Sequence, residues 1–211
     1  MTSIAIIGGT GYAGSHIARE AADRGLEVTT VSRSAADVPA GITHQVGTLA
    51  DDALVTELAA KHDVLAVAVH ASGDPDLRTA LPTLVEAARA GGARLAFVGG
   101  AGSTLVAEGG PRLVDTDGFP AEYKGEALAH GEVLDALRAD TSDLRWFYVS
   151  PAAVFGAWAP GEATGSYRVS EDVLLADENG DSQIGGADFA KAFVDEITAP
   201  RFENQRFHVA Y

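Results

Sequence analysis

The chain has 211 residues, a formal net charge of −15 at pH 7 and no cysteine. The acidity argues against nucleic acid as a partner, because phosphate binding needs a basic face. The missing cysteines exclude disulfides, thiolate metal sites and cysteine nucleophiles. No apolar run approaches the roughly 20 residues that cross a membrane, and no basic leader precedes the first apolar run. We therefore expect a cytoplasmic protein with no membrane partner.

Strand and helix patterns alternate along the chain as far as residue 149. Short apolar or β-branched runs predict strands at Ser3–Ile7, Leu26–Val31, Ile42–Val46, Val64–Val69, Leu95–Val98 and Leu144–Val149. Amphipathic runs between them predict helices at Tyr12–Arg24, Asp51–Lys61, Asp76–Ala90 and Ala121–Ala139. Strands separated by helices imply βαβ units with right-handed crossovers. The prediction is an α/β fold, a doubly wound parallel sheet between two helical layers.

The pattern changes after Pro151. Four further elements are predicted there: strand-like pieces at Ser166–Val169 and Val173–Leu175, a helix at Gly186–Thr198 and a last strand at Arg206–Tyr211. No repeat, low-complexity tract or linker interrupts the chain. We therefore expect a single domain over residues 1–211, in which residues 151–205 form a small C-terminal cap on the substrate side.

The strongest motif is the glycine-rich turn after the first strand. It reads Gly8-Gly9-Thr10-Gly11-Tyr12-Ala13-Gly14 and satisfies G-x-G-x-x-G. A sharp turn from strand to helix needs unusual dihedrals at Gly8 or Gly9. Gly11 can carry no side chain where the backbone approaches a pyrophosphate, and Gly14 lets the helix pack tightly. The helix N-terminus offers free N–H groups to the phosphates, so this context indicates a dinucleotide-binding turn.

The end of the second strand selects between NAD and NADP. NAD enzymes usually place an acidic residue there to hold the ribose 2′-hydroxyl, but this sequence reads Ser32-Arg33-Ser34. Arg33 lies 19 residues after Gly14, near the expected position of that acid. Its guanidinium suits a 2′-phosphate, and Ser32 adds a hydroxyl donor. We therefore predict that NADP(H) is preferred over NAD(H); an exposed loop arginine is the alternative.

Five segments together resemble the atypical short-chain dehydrogenase/reductases. They are GGTGYAGSHI, VSR, VAVHASG, FVGGAGS and VSPAAVF. With the tail TGSYRVSEDVLLADENGDSQIGGADFAKAFVDEI, the sequence is similar to the small NAD(P)H-binding proteins called NADH-flavin reductases, to biliverdin-IX-β reductase and to NmrA-like proteins. The resemblance covers nearly the whole chain and implies a Rossmann fold.

The resemblance also implies a cofactor site at the ends of the predicted strands. The phosphate loop would consist of Gly8, Thr10, Gly11, Tyr12 and Ala13, with Ser32 and Arg33 at the adenosine phosphate. The remaining contacts would be Thr48 and Leu49 by the adenine, His70 and Ala71 along the ribose and nicotinamide, Gly99 and Gly100 beneath the nicotinamide, and Ser150, Pro151 and Ala152 around it. Many relatives place an Asp at the adenine position, where this chain has Gly47-Thr48-Leu49.

The Tyr-x-x-x-Lys pair of conventional family members is missing. Tyr123 is followed directly by Lys124, and adjacent residues on a helix point about 100° apart, so the two side chains cannot face one substrate. Ser103, near the conventional serine position, and Tyr123 remain the candidate catalytic residues. Weaker candidates are Lys124 and His130, the latter of which could pair with Glu126. For His70, at the end of a strand, a role beside the ligand and a structural role both stay open. The six histidines show no ligand spacing, so we expect no metal.

Hydride transfer to a flavin or quinone needs little acid catalysis, because the acceptor is already electron-poor and the cofactor carries the chemistry. We therefore predict an NADPH-dependent oxidoreductase acting on a small planar acceptor, a flavin or quinone. Tyr148, Trp158 and the loop 157–167 are candidates for covering that acceptor, although a core or interface role is the favoured alternative for the aromatic residues. Two alternatives stay open: an NmrA-like redox sensor that binds NAD(P) without turnover, and a sugar-nucleotide epimerase or dehydratase. A homodimer also stays open.

Overall fold

The computed structural model describes residues 1–211 and contains one eight-stranded sheet with helices on both faces. The strands are β1 (Ser3–Ile7), β2 (Glu27–Ser32), β3 (Ile42–Val46), β4 (Val64–Val67), β5 (Arg94–Val98), β6 (Trp146–Ser150), β7 (Arg168–Ser170) and β8 (Gln205–Ala210). The α-helices are α1 (Tyr12–Asp23), α2 (Asp52–Lys61), α3 (Leu77–Gly91), α4 (Lys124–Ala139) and α5 (Gly186–Thr198). None of these helices combines the length and the hydropathy needed to span a bilayer.

The strand order is β3-β2-β1-β4-β5-β6-β8-β7. Neighbouring strands are parallel except at the edge, where β7 runs antiparallel to β8. The predicted doubly wound α/β fold is therefore confirmed. The chain builds outwards from β1 in both directions, towards β2 on one side and β4 on the other. In such folds ligands bind outside the carboxyl ends of the strands at the point of reversal.

The sheet is buried on both faces, which makes three layers. Every residue of β1 is buried, as expected of a central parallel strand. Successive side chains point to opposite faces, so Ile4 joins the core beneath α1 and α5, while Ala5 joins the core beneath α2, α3 and α4. Phe189 and Phe193 of α5 are fully buried in the first of these cores. Part of the predicted C-terminal cap thus belongs to the helical layer.

Several predicted elements differ from the structure; among them, the sixth strand begins at Trp146 rather than Leu144 and the seventh at Arg168 rather than Ser166. Val173–Leu175 is not a strand, because Val173 makes only an isolated bridge with Leu105. The fourth strand ends at Val67 rather than Val69, and the residues after it turn into a loop. The fourth predicted helix begins as a 3-10 turn at Ala121–Tyr123, and α4 starts at Lys124.

Candidate functional site

A cavity of about 270 Å³ lies at the carboxyl edge of the sheet, among the ends of β1, β2, β3 and β4. It coincides with the point where the strand order reverses. Half of the predicted cofactor contacts line it, namely Gly8, Thr10, Gly11, Ser32, Arg33, Thr48, Leu49 and His70. Gly73, the last residue of the VAVHASG segment, also lines it. The sequence analysis missed Asp74 and Pro75, which line it as well and form no recognisable motif.

Two glycines of the turn are required by the protein's own packing. Gly8 has φ +84°, and a Cβ there would lie 2.3 Å from the carbonyl oxygen of Ala68. A Cβ on Gly14 would lie 2.2 Å from the carbonyl oxygen of Gly8. Gly8 also donates its N–H to Val31 at 2.9 Å, which ties the turn to β2. These contacts hold the start of α1 close against the end of β1.

Gly11 has a different role from these two glycines. Its backbone is extended, with φ −72° and ψ 176°, a conformation open to any residue. The one protein atom near a Cβ on Gly11 would be the carbonyl oxygen of Gly8, at 3.3 Å. Gly11 faces the cavity, so the space that a side chain would take is space on the ligand side.

The N-terminus of α1 is left uncapped. No side chain accepts a hydrogen bond from its first turn, and the turn contains no acidic residue. The first N–H groups of a helix have no intrahelical acceptor, and the helix dipole adds partial positive charge at this end. Together with the bare Cα of Gly11, these N–H groups fit a pyrophosphate, so the residues present suit a dinucleotide.

Arg33 is the cationic side chain of the cavity wall. It lies just beyond β2, is exposed, and has no ion-pair partner in the protein. The hydroxyl of the neighbouring Ser32 is already engaged: it donates to the carbonyl oxygen of Ser34 at 2.8 Å and lies 3.4 Å from His44 Nε2. Arg33 is therefore free to meet an anion, whereas Ser32 would first have to release its internal bond.

Further along the same edge, Glu126 of α4 holds the loop that follows β4. Its carboxylate accepts from the N–H groups of Ala71 at 2.7 Å and Ser72 at 2.9 Å, and also from the Ser72 hydroxyl. The imidazoles of His130 and His70 lie 3.2 and 3.3 Å away. Burial alone would raise the pKa of Glu126, but the bonds from His130, Ser72 and Ala71 hold its pKa well below the ordinary value of 4.5.

The sequence analysis identified the Glu126–His130 pairing from its i,i+4 spacing, but missed the contact of Glu126 with the loop. No local signal could have revealed that contact, because 54 residues separate Glu126 from Ser72. The consequence is that a single carboxylate fixes the segment after β4, which includes the predicted contacts His70 and Ala71.

Tyr148 does not cover an acceptor but packs in the core, which is the alternative that the sequence analysis favours for it. The side chain is fully buried on β6, and its hydroxyl lies 3.2 Å from His130 Nδ1. A Cβ on Gly99 would lie 1.9 Å from the Tyr148 ring, so Gly99 is a glycine because the ring packs there. Burial raises the pKa of Tyr148, and the phenol stays neutral. The Tyr148 ring packs against Gly99, directly after the end of β5.

The structure does not bring the two candidate catalytic residues together. The Ser103 hydroxyl lies 3.5 Å from Arg206 Nη1, and its Cβ sits 4.0 Å from the place of a Cβ on Gly131. Tyr123 precedes α4, eight residues before Gly131, which is about 12 Å along a helix. Tyr123 is half-exposed, while Ser103 is turned towards the interior. Their catalytic roles stay predictions.

The remaining predicted contacts lie outside the cavity wall: Tyr12, Ala13, Ala71, Gly99, Gly100, Ser150, Pro151 and Ala152. The Tyr12 side chain turns away, since its hydroxyl donates to Pro160 and accepts from the N–H of Gly186, both at 3.0 Å. Its backbone N–H alone can serve a phosphate. The Ser150 hydroxyl is buried and accepts from Arg206 at 3.3 Å. These positions follow the strand ends, as predicted, but their contact with a cofactor stays a prediction.

A family model described as NAD(P)H-binding matches residues 8–200. Among curated proteins, the "uncharacterized protein YwnB" of Bacillus subtilis (strain 168) is 39% identical over 216 residues, covering 98% of this chain and 97% of YwnB. The match therefore runs through the glycine turn, the cavity and the C-terminal helix, rather than through one motif.

Three solved structures are similar over the full chain, each with a TM-score of 0.88. One is a "putative exported protein" from Burkholderia pseudomallei, 41% identical, with 100% of both chains covered. Another is "a putative NADH-flavin reductase" from Streptococcus pneumoniae, 31% identical, covering 100% of this chain and 99% of that one. A "putative epimerase" from Bacteroides thetaiotaomicron is 30% identical, with 100% and 97% covered. By its family match, its fold and its full-length relatives, the chain belongs to the NAD(P)H-binding family of Rossmann-fold proteins.

Proposed function

We propose that this protein is an NADPH-dependent reductase that passes a hydride to a flavin, a quinone or a similar planar acceptor. The observation that carries the proposal is the cavity in which the uncapped start of α1 and the unpaired Arg33 lie together. A pyrophosphate and a 2′-phosphate are both anions, and each would find a dedicated partner there. Such a cofactor calls for a cytoplasmic location, which is part of the proposal.

The chain's own residues would bind and orient the reactants. The N–H groups at the start of α1 hold the pyrophosphate, and Arg33 holds the 2′-phosphate. Glu126 fixes the loop containing His70 and Ala71, which would run beside the nicotinamide ribose. When bound, NADPH supplies the hydride, and the protein supplies position and protection from water.

The choice of acceptor rests on what the site lacks. No Tyr-x-x-x-Lys pair is present, and Ser103 faces Arg206 rather than Tyr123. An alcohol or ketone substrate needs a positioned proton donor, whereas a reduced flavin or quinone can take its proton from water. The description of the S. pneumoniae relative as an NADH-flavin reductase is in line with this choice.

Steady-state oxidation of NADPH with added FMN or menadione tests the proposal. We expect an acceptor-dependent rate that is faster with NADPH than with NADH at equal, subsaturating concentration. If calorimetry shows NADPH binding but neither acceptor supports turnover, the reductase proposal fails.

A redox sensor without turnover is the second candidate. The inward orientation of Ser103 favours it, because a protein that only binds the cofactor needs no hydroxyl near the reacting atoms. Such a sensor would bind NADPH and NADP⁺ with clearly different affinities and would not oxidise NADPH, whichever acceptor is added. The other alternative, a sugar-nucleotide epimerase, is disfavoured because the chain has no Tyr-x-x-x-Lys pair.

A further inference from the structure

Tyr123 and Trp158 are the exposed aromatic residues of this protein. Tyr123 is 50% exposed and Trp158 is 65% exposed, while every other Phe, Tyr and Trp is buried or half-buried. The two rings face each other, with centroids 6.5 Å apart and planes only 11° from parallel. They come from segments 35 residues apart in the sequence. Exposed apolar surface that two adjacent rings share is a candidate binding surface.

The Tyr123 side of the pair is fixed to the loop after β4. Tyr123 directly precedes α4, and Glu126 on the first turn of that helix accepts hydrogen bonds from Ala71 and Ser72. Tyr123 is thereby held near the carboxyl end of β4.

The Trp158 side is fixed to the start of α1. Phe155 packs edge-on against the Tyr12 ring at 5.3 Å, and the Pro160 carbonyl accepts from the Tyr12 hydroxyl at 3.0 Å. A Cβ on Gly156 would lie 2.7 Å from Trp158 Nε1, so this glycine leaves room for the indole to fold back. Trp158 is thereby held beside the glycine-rich turn and the start of α1.

The two rings therefore meet at the carboxyl edge, between the segment that follows β5 and the segment that follows β6. Aromatic pairs in contact have centroids about 4.5–7 Å apart, so 6.5 Å is near the wide end. A flat ring held between two parallel rings needs about 7 Å, twice the ~3.5 Å contact distance. The 6.5 Å separates ring centroids rather than ring planes, so the two rings would have to move from this offset contact into a face-to-face arrangement to admit one planar molecule between them.

We propose that Tyr123 and Trp158 form an aromatic clamp that stacks on the planar acceptor and positions it over the nicotinamide. This inference deepens the proposed reductase function and rests on it. It commits the pair to a flat, electron-poor ring such as isoalloxazine or naphthoquinone, since such rings stack well on electron-rich indole and phenol. In this account Tyr123 binds and places the acceptor rather than donating a proton.

Binding of FMN, and separately of menadione, to the protein saturated with NADP⁺ tests the clamp without turnover. Trp158→Leu and Tyr123→Leu remove a ring plane and keep apolar bulk, whereas Trp158→Phe and Tyr123→Phe keep a ring. We expect each Leu variant to weaken acceptor binding roughly tenfold, as for loss of one stacked ring, and the Phe variants to retain most of it. NADP⁺ affinity should stay unchanged.

The control is Leu128→Ala, which truncates an apolar side chain of α4 that is 36% exposed and belongs to neither ring. It should bind acceptor as the wild type does. A second readout is fluorescence: Trp146 is 3% exposed, so FMN should quench chiefly the Trp158 emission, and Trp158→Phe should abolish that quenching.

Each outcome decides the inference. Wild-type affinity in both Leu variants, or no binding of either acceptor to the NADP⁺-loaded wild type, would overturn the clamp. So would a Trp158→Leu protein that binds acceptor normally but changes its sedimentation coefficient, because the pair would then cover a second copy of the chain. Acceptor binding that depends on both rings, without NADPH oxidation, would keep the clamp and reject the reductase.

Discussion

The two halves of the carboxyl edge are built in different ways. On the β1–β2–β3 side, the cavity is shaped by backbone: a glycine turn, an uncapped helix and a short loop with one arginine. On the β4–β5–β6 side, the surface is held by side chains from distant segments, such as Glu126 on the loop after β4 and Tyr148 beneath Gly99. The first half presents N–H groups to a ligand, while the second presents exposed rings and loops.

The difference indicates a division of tasks. A backbone site recognises phosphates, which all dinucleotides share, and it tolerates few substitutions because glycines set its geometry. A side-chain site can change its acceptor by changing a few residues, because its framework is fixed from behind by buried groups. The largest expected effect of substitution is therefore in the first half, at a glycine that sets the geometry of the turn.

The largest effect is expected for Gly8→Ala. The new Cβ would lie 2.3 Å from the Ala68 carbonyl oxygen, in a backbone with φ +84°. Gly25→Ala is the matched control, since Gly25 has φ +78° with nothing within 4 Å of its Cβ position. We expect the control to lower the free energy of unfolding by about 1–2 kcal/mol and Gly8→Ala to lower it by a further ~1–3 kcal/mol. Equal losses in urea unfolding would show that the turn relaxes freely.

In the second half, we expect Glu126→Gln to lower the free energy of unfolding by about 1–3 kcal/mol at neutral pH, because the amide cannot serve all the donors that surround the carboxylate. The KM for NADPH should rise as the loop of His70 and Ala71 loosens. Glu132→Gln on the same helix is the control: its ion pair with Arg78 is exposed, so its loss should stay below about 1 kcal/mol.

The stability difference between the wild type and Glu126→Gln is also expected to depend on pH. The pKa of folded Glu126 lies below its ordinary value of 4.5, so below that pH the unfolded chain takes up the proton first, and the free energy of unfolding falls as pH falls. The stability difference between wild type and Glu126→Gln should therefore shrink in acid. A stability difference that stays constant down to about pH 4, where the unfolded carboxyl is already largely protonated, would contradict the role of Glu126 in fixing the loop after β4.

A smaller and more selective effect is expected for Arg33→Ala. Loss of a charge-assisted contact with the 2′-phosphate should weaken NADPH binding by about tenfold or more and leave NADH binding and stability unchanged. Arg19→Ala, an exposed arginine of α1 outside the cavity, removes the same charge as a control. An unchanged ratio of NADPH to NADH affinity in Arg33→Ala would refute the predicted preference.

The sequence predicts the first half of the carboxyl edge better than the second half. Gly8, Gly11, Gly14 and Arg33 lie within one strand–helix–strand stretch, so their spacing alone indicates the turn and the cofactor. The contacts of the second half are long-range: Ser72 and Glu126, which share a hydrogen bond, are 54 residues apart in the sequence. For Tyr148 the sequence left two roles open, covering the acceptor or packing in the core, because a position near a strand end does not determine which face a side chain points to. Hydrophobic periodicity predicts the helices and strands, but the packing partners determine which way a side chain such as Tyr148 points.

The most direct test of the account is a calorimetric titration of NADPH into the wild type and Gly11→Ala. The new methyl group would meet only the Gly8 carbonyl oxygen at 3.3 Å in the protein, so urea unfolding should show a change within about 1 kcal/mol. The account predicts that Gly11→Ala nevertheless loses most of its NADPH affinity, because the methyl takes the space of the pyrophosphate. Wild-type affinity in this variant would contradict the central claim that the bare start of α1 holds the cofactor.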